Sequence, residues 1–138
     1  MTHSALALLG FAAWTLALLV AIVTHRATLT LTGKRAPNSF SPAGTDVSPL
    51  GGRLVRAHAN CVENLPIAVA VLGLALVTGH SDVSEALALP YLGARVAQSC
   101  AHVVSTSNPV VVVRFTFFAV QLAILAWWIV GLGRVLLG

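Results

Sequence analysis

The sequence predicts an all-α membrane protein built as a bundle of four transmembrane helices. Of its 138 residues, 57% are hydrophobic and only 9% are charged, and the mean hydropathy is +0.89. Soluble domains of this size do not reach such values. Four apolar stretches each approach the roughly 20 residues that an α-helix needs to cross the hydrocarbon of a bilayer. They lie at about 5–24, 54–78, 86–106 and 110–132, in a single membrane domain.

The first stretch is predicted to remain in the mature protein as helix 1. No Lys or Arg precedes it, and its apolar run is longer than the roughly 7 to 15 residues of a signal peptide. The loop after it, at about 25–53, is either a cap over a site or a plain connector. By the positive-inside bias this loop faces the cytoplasm, and both termini lie on the other side. The loop is strongly basic, with Arg26, Lys34, Arg35 and Arg53 against Asp46.

Helix 2 carries a stripe of polar side chains in the half that follows the basic loop. At about 100° per residue, these side chains fall within roughly one quarter of the helix circumference. A charge near the centre of a bilayer costs on the order of 3 kcal/mol, so the stripe is predicted to face protein or a wet cavity. Its members are Arg53, Arg56, Asn60 and Glu63.

Helix 3 presents a second polar stripe, which spans about 100° of arc. It consists of Arg95, Gln98, Ser99 and His102. Arg95 and Glu63 lie at similar estimated depth, which predicts an ion pair between helices 3 and 2. Removing one partner of such a buried pair costs roughly 3 to 5 kcal/mol, so this pair is either purely architectural or part of a site.

Helix 4 is predicted to begin just after Pro109, a residue that suits the start of a helix. Arg114 follows about one turn later. Its guanidinium either reaches out to the cytoplasmic headgroups or points into the bundle near the polar face of helix 3. Trp127 and Trp128 lie at the opposite end of the helix, where an aromatic belt is expected, so both are predicted to be interfacial anchors.

Composition and motifs exclude several classes of function. The formal net charge of +4 is not gathered in a soluble patch, so no nucleic-acid binding is expected. Cys61 and Cys100 are too few and too far apart for a metal or redox motif and are predicted to pack in the bundle. There is no sign of a catalytic triad, a phosphate-binding loop or a metal site.

The polar stripes instead suit a small, anionic, peptide-like ligand. Arginine binds carboxylates through two parallel hydrogen bonds, and an amide such as that of Asn60 can serve a peptide or thiol group. A positive field also favours the thiolate form of a bound thiol, which is the nucleophilic form.

Three motifs resemble those of the MAPEG family, the membrane-associated proteins in eicosanoid and glutathione metabolism. This family includes microsomal glutathione transferases, leukotriene C4 synthase and microsomal prostaglandin E synthase. The resemblance covers nearly the whole chain. The motifs are Arg56-Ala-His58-Ala-Asn60-Cys-Val-Glu63 in helix 2, Tyr91-Leu-Gly-Ala-Arg95-Val-Ala-Gln98 in helix 3, and Asn108-Pro109 through Arg114 at the start of helix 4.

The resemblance implies a homotrimer that binds glutathione between neighbouring subunits near the cytoplasmic side. Arg114 is the best match to the helix 4 arginine that stabilises the glutathione thiolate, with an offset of a few residues. Candidates for the family's helix 1 arginine are Arg26, Lys34 and Arg35. The residues implied to bind glutathione are Arg53, Arg56, Asn60, Glu63, Arg95 and Gln98.

One departure from the family concerns the catalytic residues. His102 stands where better-known members carry a tyrosine after the helix 3 arginine. We expect a glutathione transferase or peroxidase that acts on hydrophobic electrophiles from the bilayer, with Arg114 and His102 as catalytic residues. The bacterial inner membrane is the expected location.

The sequence leaves two alternative functions open. The first is a non-enzymatic trimeric membrane protein whose polar stripes are structural or bind another small anion. The second, a small proton-coupled exporter, is less favoured, because helix 1 has no carboxylate and no inverted repeat is evident.

Overall fold

A computed structural model describes residues 1–42, 44 and 48–138 of the chain. In these residues it contains four α-helices and no β-strand, which confirms the predicted all-α fold. Asp46, the acidic residue of the first loop, lies outside the described residues. The helices are α1 (His3–Leu31), α2 (Pro49–Val77), α3 (Asp82–Val104) and α4 (Asn108–Leu137).

The helices extend beyond most of the predicted apolar limits. α1 ends at Leu31 rather than at 24, and α2 begins at Pro49 rather than at 54, so the connecting segment covers 32–48. Hydropathy marks only the part of a helix inside the hydrocarbon, whereas capping determines where the helix itself begins. The Ser48 hydroxyl accepts a hydrogen bond from the Gly51 amide at 2.9 Å, and a proline occupies the first turn of α2.

A glycine in the left-handed region follows both α1 and α2. Gly33 has a φ of 69° and Gly79 a φ of 76°, a conformation that only glycine adopts without strain. After α2, the His80 amide donates to the Ala75 carbonyl at 2.9 Å, as in a Schellman motif. These caps end the helices and allow the tight turn between α2 and α3.

Two contacts define how the helices run relative to one another. The Ser4 and Ser84 hydroxyls are hydrogen-bonded at 2.8 Å, so α1 and α3 begin at the same end of the bundle. At the other end, Arg53 Nε near the start of α2 donates to the Val103 carbonyl near the end of α3 at 2.6 Å. The short turn at 105–107 then sends α4 back alongside α3. Both termini therefore lie at one end, and the connecting segment at the other.

Aromatic side chains fill the centre of the bundle. The ring of Tyr91 lies 6.1 Å from Phe11 and 5.2 Å from Trp128, measured between centroids, and all three are buried. The prediction that Trp128 is an interfacial anchor is therefore wrong, because its face of α4 points at α3. Trp127 lies on the outer surface of the bundle and is 65% exposed.

Three of the four helices are apolar and long enough to cross a membrane by themselves: α1, α2 and α4. α3 is less apolar because it carries charged and amide side chains, although its 23 residues span about 34 Å. It packs against each of the other three helices. Its polar face is thereby placed against protein, where the site lies.

Candidate functional site

A cleft of about 260 Å³ opens between α2, α3 and α4. We call it the polar cleft, because polar side chains form its floor and apolar side chains of α4 form one wall. It brings together four of the eight residues that the sequence indicated for the site. Its lining consists of Asn60, Gln98, His102, Val111, Arg114, Phe115 and Phe118.

Helical spacing explains why these residues meet. Gln98 and His102 are four residues apart on α3 and therefore lie on one face. Arg114, Phe115 and Phe118 are grouped in the same way on α4. The antiparallel packing of α3 and α4 brings these two faces together beside Asn60 of α2.

Arg95 lies just behind the cleft and is completely buried. Its Nη1 donates to Asn60 Oδ1 at 2.5 Å, and its Cζ lies 5.2 Å from the Phe11 ring centroid, a cation–π contact. Its Nε and Nη2 find no hydrogen-bond partner in the described part of the chain. Because a guanidinium can only donate, Asn60 must turn its carbonyl oxygen inward, which leaves its NH₂ group for the cleft.

The predicted ion pair between Arg95 and Glu63 is wrong, because Glu63 is exposed and does not reach Arg95. The buried face of α2 centres on Ala57 and Cys61. At about 100° per residue, Asn60 lies at the edge of that face, and Glu63 lies a further 60° toward the exterior. Among the described residues, the sole ion pair joins His3 and Glu85 at 3.4 Å.

Arg114 points into the bundle rather than out to the headgroups. It lines the polar cleft, it is half-buried, and its Nε is buried without a hydrogen-bond partner in residues 1–42, 44 and 48–138. None of the described carboxylates lies within ion-pair distance of this guanidinium. Arg114 is thus a cation without a counter-charge among the described residues.

His102 lies among several positive charges. Arg114 lines the same cleft, Arg95 lies just behind it, and Arg56 lies one turn before Asn60 on α2. The ring itself is half-buried in the cleft lining. The electrostatic field at this end of the cleft is therefore positive, which suits an anion.

The remaining residues of the predicted site lie outside the cleft. Arg53 is half-buried and donates to the Val103 carbonyl in the last turn of α3, a contact that caps this helix. Arg56 is exposed, like Glu63, on the exterior of α2. Arg26 donates to the Ser41 carbonyl at 3.0 Å and lies over the Phe40 ring, so it braces the connecting segment. Lys34 and Arg35 do not line the cleft either.

Sequence reasoning did not identify Gln121, which supports the cleft from behind. This residue of α4 is completely buried, and its Nε2 donates to Gln98 Oε1 and to the Phe117 carbonyl, both at 2.9 Å. A usable signal was present: between 117 and 133 it is the single amide in an otherwise apolar run. An isolated polar residue in a transmembrane helix usually faces the bundle and has a partner there.

The arrangement combines two kinds of surface in one cleft. Its floor offers hydrogen-bond donors and positive charge from Asn60 and Arg114, whereas Val111, Phe115 and Phe118 offer apolar contact. Such a cleft can hold an anionic ligand beside a hydrophobic compound.

Comparison with known proteins agrees with this architecture. The model of the MAPEG family matches residues 4–134, nearly the whole chain. No curated protein and no solved structure gave a significant match. The match covers all of α2 and α3, nearly all of α1 and α4, and every residue of the polar cleft. The chain therefore belongs to the MAPEG family, the membrane-associated proteins in eicosanoid and glutathione metabolism.

Proposed function

We propose that the polar cleft binds glutathione and that the protein is a glutathione transferase or peroxidase acting on hydrophobic electrophiles from the bilayer. One observation carries the proposal: Arg95 and Arg114 flank a single cleft, and no described carboxylate pairs with either of them. A desolvated cation without a partner is costly, so an anionic ligand would offset that cost. Glutathione carries two carboxylates and two peptide groups that accept hydrogen bonds.

The exposed residues of α2 fit a ligand that extends out of the cleft. Arg56 and Glu63 lie on the exterior of α2, next to the edge at which Asn60 enters the cleft. In a homotrimer this exterior face would meet a neighbouring subunit, so glutathione would lie between subunits with one end in the cleft. The family resemblance indicates the same residues, together with Arg53 and Gln98.

The reaction would use the two polar residues nearest the turn between α3 and α4. Arg114 would stabilise the thiolate by its positive charge, and the neutral His102 ring would donate a hydrogen bond to the sulfur, while the thiol proton passes to solvent water. The thiolate sulfur then attacks the electrophilic carbon of an aromatic halide. A sulfur–carbon bond forms, the carbon–halogen bond breaks, and halide leaves with the bonding electrons.

The apolar wall supports a substrate that arrives through the membrane. Phe115 is 69% exposed, and it connects the cleft lining to the outer surface of α4, which is apolar. A hydrophobic electrophile dissolved in the bilayer would reach the thiolate along this wall without crossing water.

The cleft belongs to the half of the bundle that contains the basic connecting segment. Its residues on α3 and α4 flank the turn at 105–107, and Arg53 joins α2 to α3 at the same end. The positive-inside bias puts this end in the cytoplasm, where glutathione is abundant, and both termini on the other side. The bacterial inner membrane is the proposed location.

Calorimetry and turnover measurements on detergent-purified protein test the proposal. We expect glutathione binding and conjugation of a generic aromatic halide by the natural protein. Arg114→Met should lose most of both, whereas Arg134→Met should keep both, because Arg134 is an exposed arginine near the far end of the same helix. Absence of both binding and conjugation in the natural protein would overturn the proposal.

A second candidate is a non-enzymatic trimeric membrane protein whose polar groups are structural or bind another small anion. The contacts of Arg53 with Val103 and of Arg95 with Asn60 favour it, because both contacts stabilise the bundle without any ligand. This candidate predicts that Arg114→Met leaves ligand affinity unchanged and that no conjugation occurs. The paired measurements above therefore separate the two functions.

A further inference from the structure

Gln121 and Gln98 form a buried amide pair directly behind the polar cleft. Gln121 Nε2 donates to Gln98 Oε1 at 2.9 Å, and the two residues are 0% and 3% exposed. Gln98 lines the cleft, whereas Gln121 does not. The contact thus links a residue of the cleft to one that a ligand in the cleft does not touch.

The direction of this hydrogen bond is fixed by a backbone group. Gln121 Nε2 also donates to the Phe117 carbonyl at 2.9 Å, and a carbonyl can only accept. Rotating the Gln121 amide by 180° would set its oxygen against both this carbonyl and Gln98 Oε1. The backbone therefore determines the orientation of Gln121, and Gln121 determines that of Gln98.

This orientation has a cost that packing alone does not explain. Gln121 Oε1 is buried and has no hydrogen-bond partner in the described residues. An apolar side chain of similar size would fill the same space without burying an unsatisfied carbonyl. The cost is consistent with a role in the cleft.

We propose that Gln121 is a positioning residue that holds the Gln98 amide with its NH₂ group toward the cleft. This wall would then recognise a hydrogen-bond acceptor, namely a carboxylate or peptide carbonyl oxygen. Arg95 orients Asn60 in the same sense. Both amides of the cleft are set as donors by buried partners, and the identification of the acceptor as part of glutathione rests on the proposed function.

Selective isotope labelling tests this orientation directly. Gln98 and Gln121 are the only two glutamines of the chain, so labelling glutamine side chains with ¹⁵N gives two NH₂ signal pairs. Gln98→Met and Gln121→Met each remove one pair and so assign both. We expect the Gln98 pair to exchange with water faster than the Gln121 pair and to shift when glutathione is added. A protected Gln98 pair with a fast-exchanging Gln121 pair would overturn the proposal.

A double-mutant cycle separates positioning from a general structural role. Gln98→Met and Gln121→Met should each weaken glutathione binding by about tenfold, the value of one hydrogen bond. The double variant should be no weaker than either single variant, because Gln121 acts only through Gln98. Multiplied losses of about a hundredfold, or no loss for Gln121→Met, would overturn the proposal.

The two measurements also distinguish this inference from the proposed function. If the natural protein does not bind glutathione, the proposed function fails, and the exchange rates of the two NH₂ pairs still decide the orientation. A different outcome is that glutathione binds without shifting the Gln98 pair, and with the same affinity in Gln121→Met as in the natural protein. In that case the positioning role fails and the proposed function stands.

Discussion

Arg95 donates from Nη1 to Asn60 Oδ1 at 2.5 Å, and this contact joins the buried interior of α3 to the edge of the polar cleft. The guanidinium is completely buried, and Asn60 is its one hydrogen-bonding side chain among the described residues. A single amide therefore both compensates a buried charge and lines the cleft. Changes at Asn60 should affect stability and binding together.

We expect Asn60→Leu to destabilise the protein by about 3 kcal/mol, because it leaves the Arg95 charge buried without its partner. Glutathione affinity should fall as well, since the cleft loses an NH₂ donor. Thermal unfolding followed by tryptophan fluorescence measures the first effect, and calorimetry measures the second.

Glu63→Gln is the matched control for this pair. Glu63 is exposed and does not contact Arg95, so its replacement should change the free energy of unfolding by no more than about 0.5 kcal/mol. A large destabilisation by Glu63→Gln, with little effect of Asn60→Leu, would restore the ion pair that the structure contradicts.

The contrast between Asn60 and Glu63 shows how much of the fold and of the site can be predicted from the sequence. Length and hydropathy predict four helices because each must satisfy its backbone hydrogen bonds within the bilayer. Helical spacing also predicts that the polar residues of α2 share a stripe. It does not indicate which edge of the stripe faces inward, because the rest of the α2 circumference is largely apolar, for example at Val55 and Val62.

Partners on different helices are harder still to predict. The Gln121 contact with Gln98 depends on the rotation of α4 against α3, which periodicity within one helix does not report. Trp128 was assigned to the membrane interface by its position near one end of helix 4. The rotation of α4 about its own axis instead places this side chain in the core. Depth along a helix is thus predictable from sequence, whereas rotation depends on packing.

Arg53→Met should loosen the end of the bundle that carries the connecting segment between α1 and α2. Arg53 Nε donates to the Val103 carbonyl, one of the last carbonyls of α3, which otherwise lack partners. We expect a loss of about 1 to 2 kcal/mol and faster hydrogen exchange in the last turn of α3. Mass spectrometry of peptides covering that turn measures the exchange.

The control for Arg53 is Arg56→Met, one turn further along the same helix. Arg56 is exposed, so its loss should leave exchange in the last turn of α3 unchanged. Equal effects of the two substitutions would mean that lost positive charge, rather than the cap, loosens α3.

Glu85 should hold the start of α1 in place. Its Oε1 accepts from the His3 amide at 2.6 Å, and its Oε2 accepts from the Ser4 amide and the Ser4 hydroxyl at 3.2 and 3.1 Å. A carboxylate at a helix N-terminus satisfies amides that have no partner within the helix. Glu85→Met should therefore raise the exchange rates of the His3 and Ser4 amides several-fold.

Asp82→Asn serves as the comparison, because Asp82 is an exposed carboxylate in the same first turn of α3. It should leave the exchange of the α1 amides unaltered, as measured by nuclear magnetic resonance. If Asp82→Asn and Glu85→Met accelerate exchange equally, the effect arises from charge at the start of α3 and not from the contacts with α1.

The apolar wall should determine which electrophiles are accepted. Phe118 lines the cleft from α4, and a substrate alkyl chain packed against it would gain about 0.8 kcal/mol per buried methylene. We therefore expect Phe118→Ser to raise KM for an aromatic halide with an alkyl chain much more than for the same halide without it. Because Arg114 and His102 are unaltered, kcat should change little for either compound.

Phe117→Ser is the control, since Phe117 neighbours Phe118 on α4 but its side chain does not line the cleft. Loss of chain-length preference in Phe117→Ser, with none in Phe118→Ser, would place the hydrophobic substrate elsewhere.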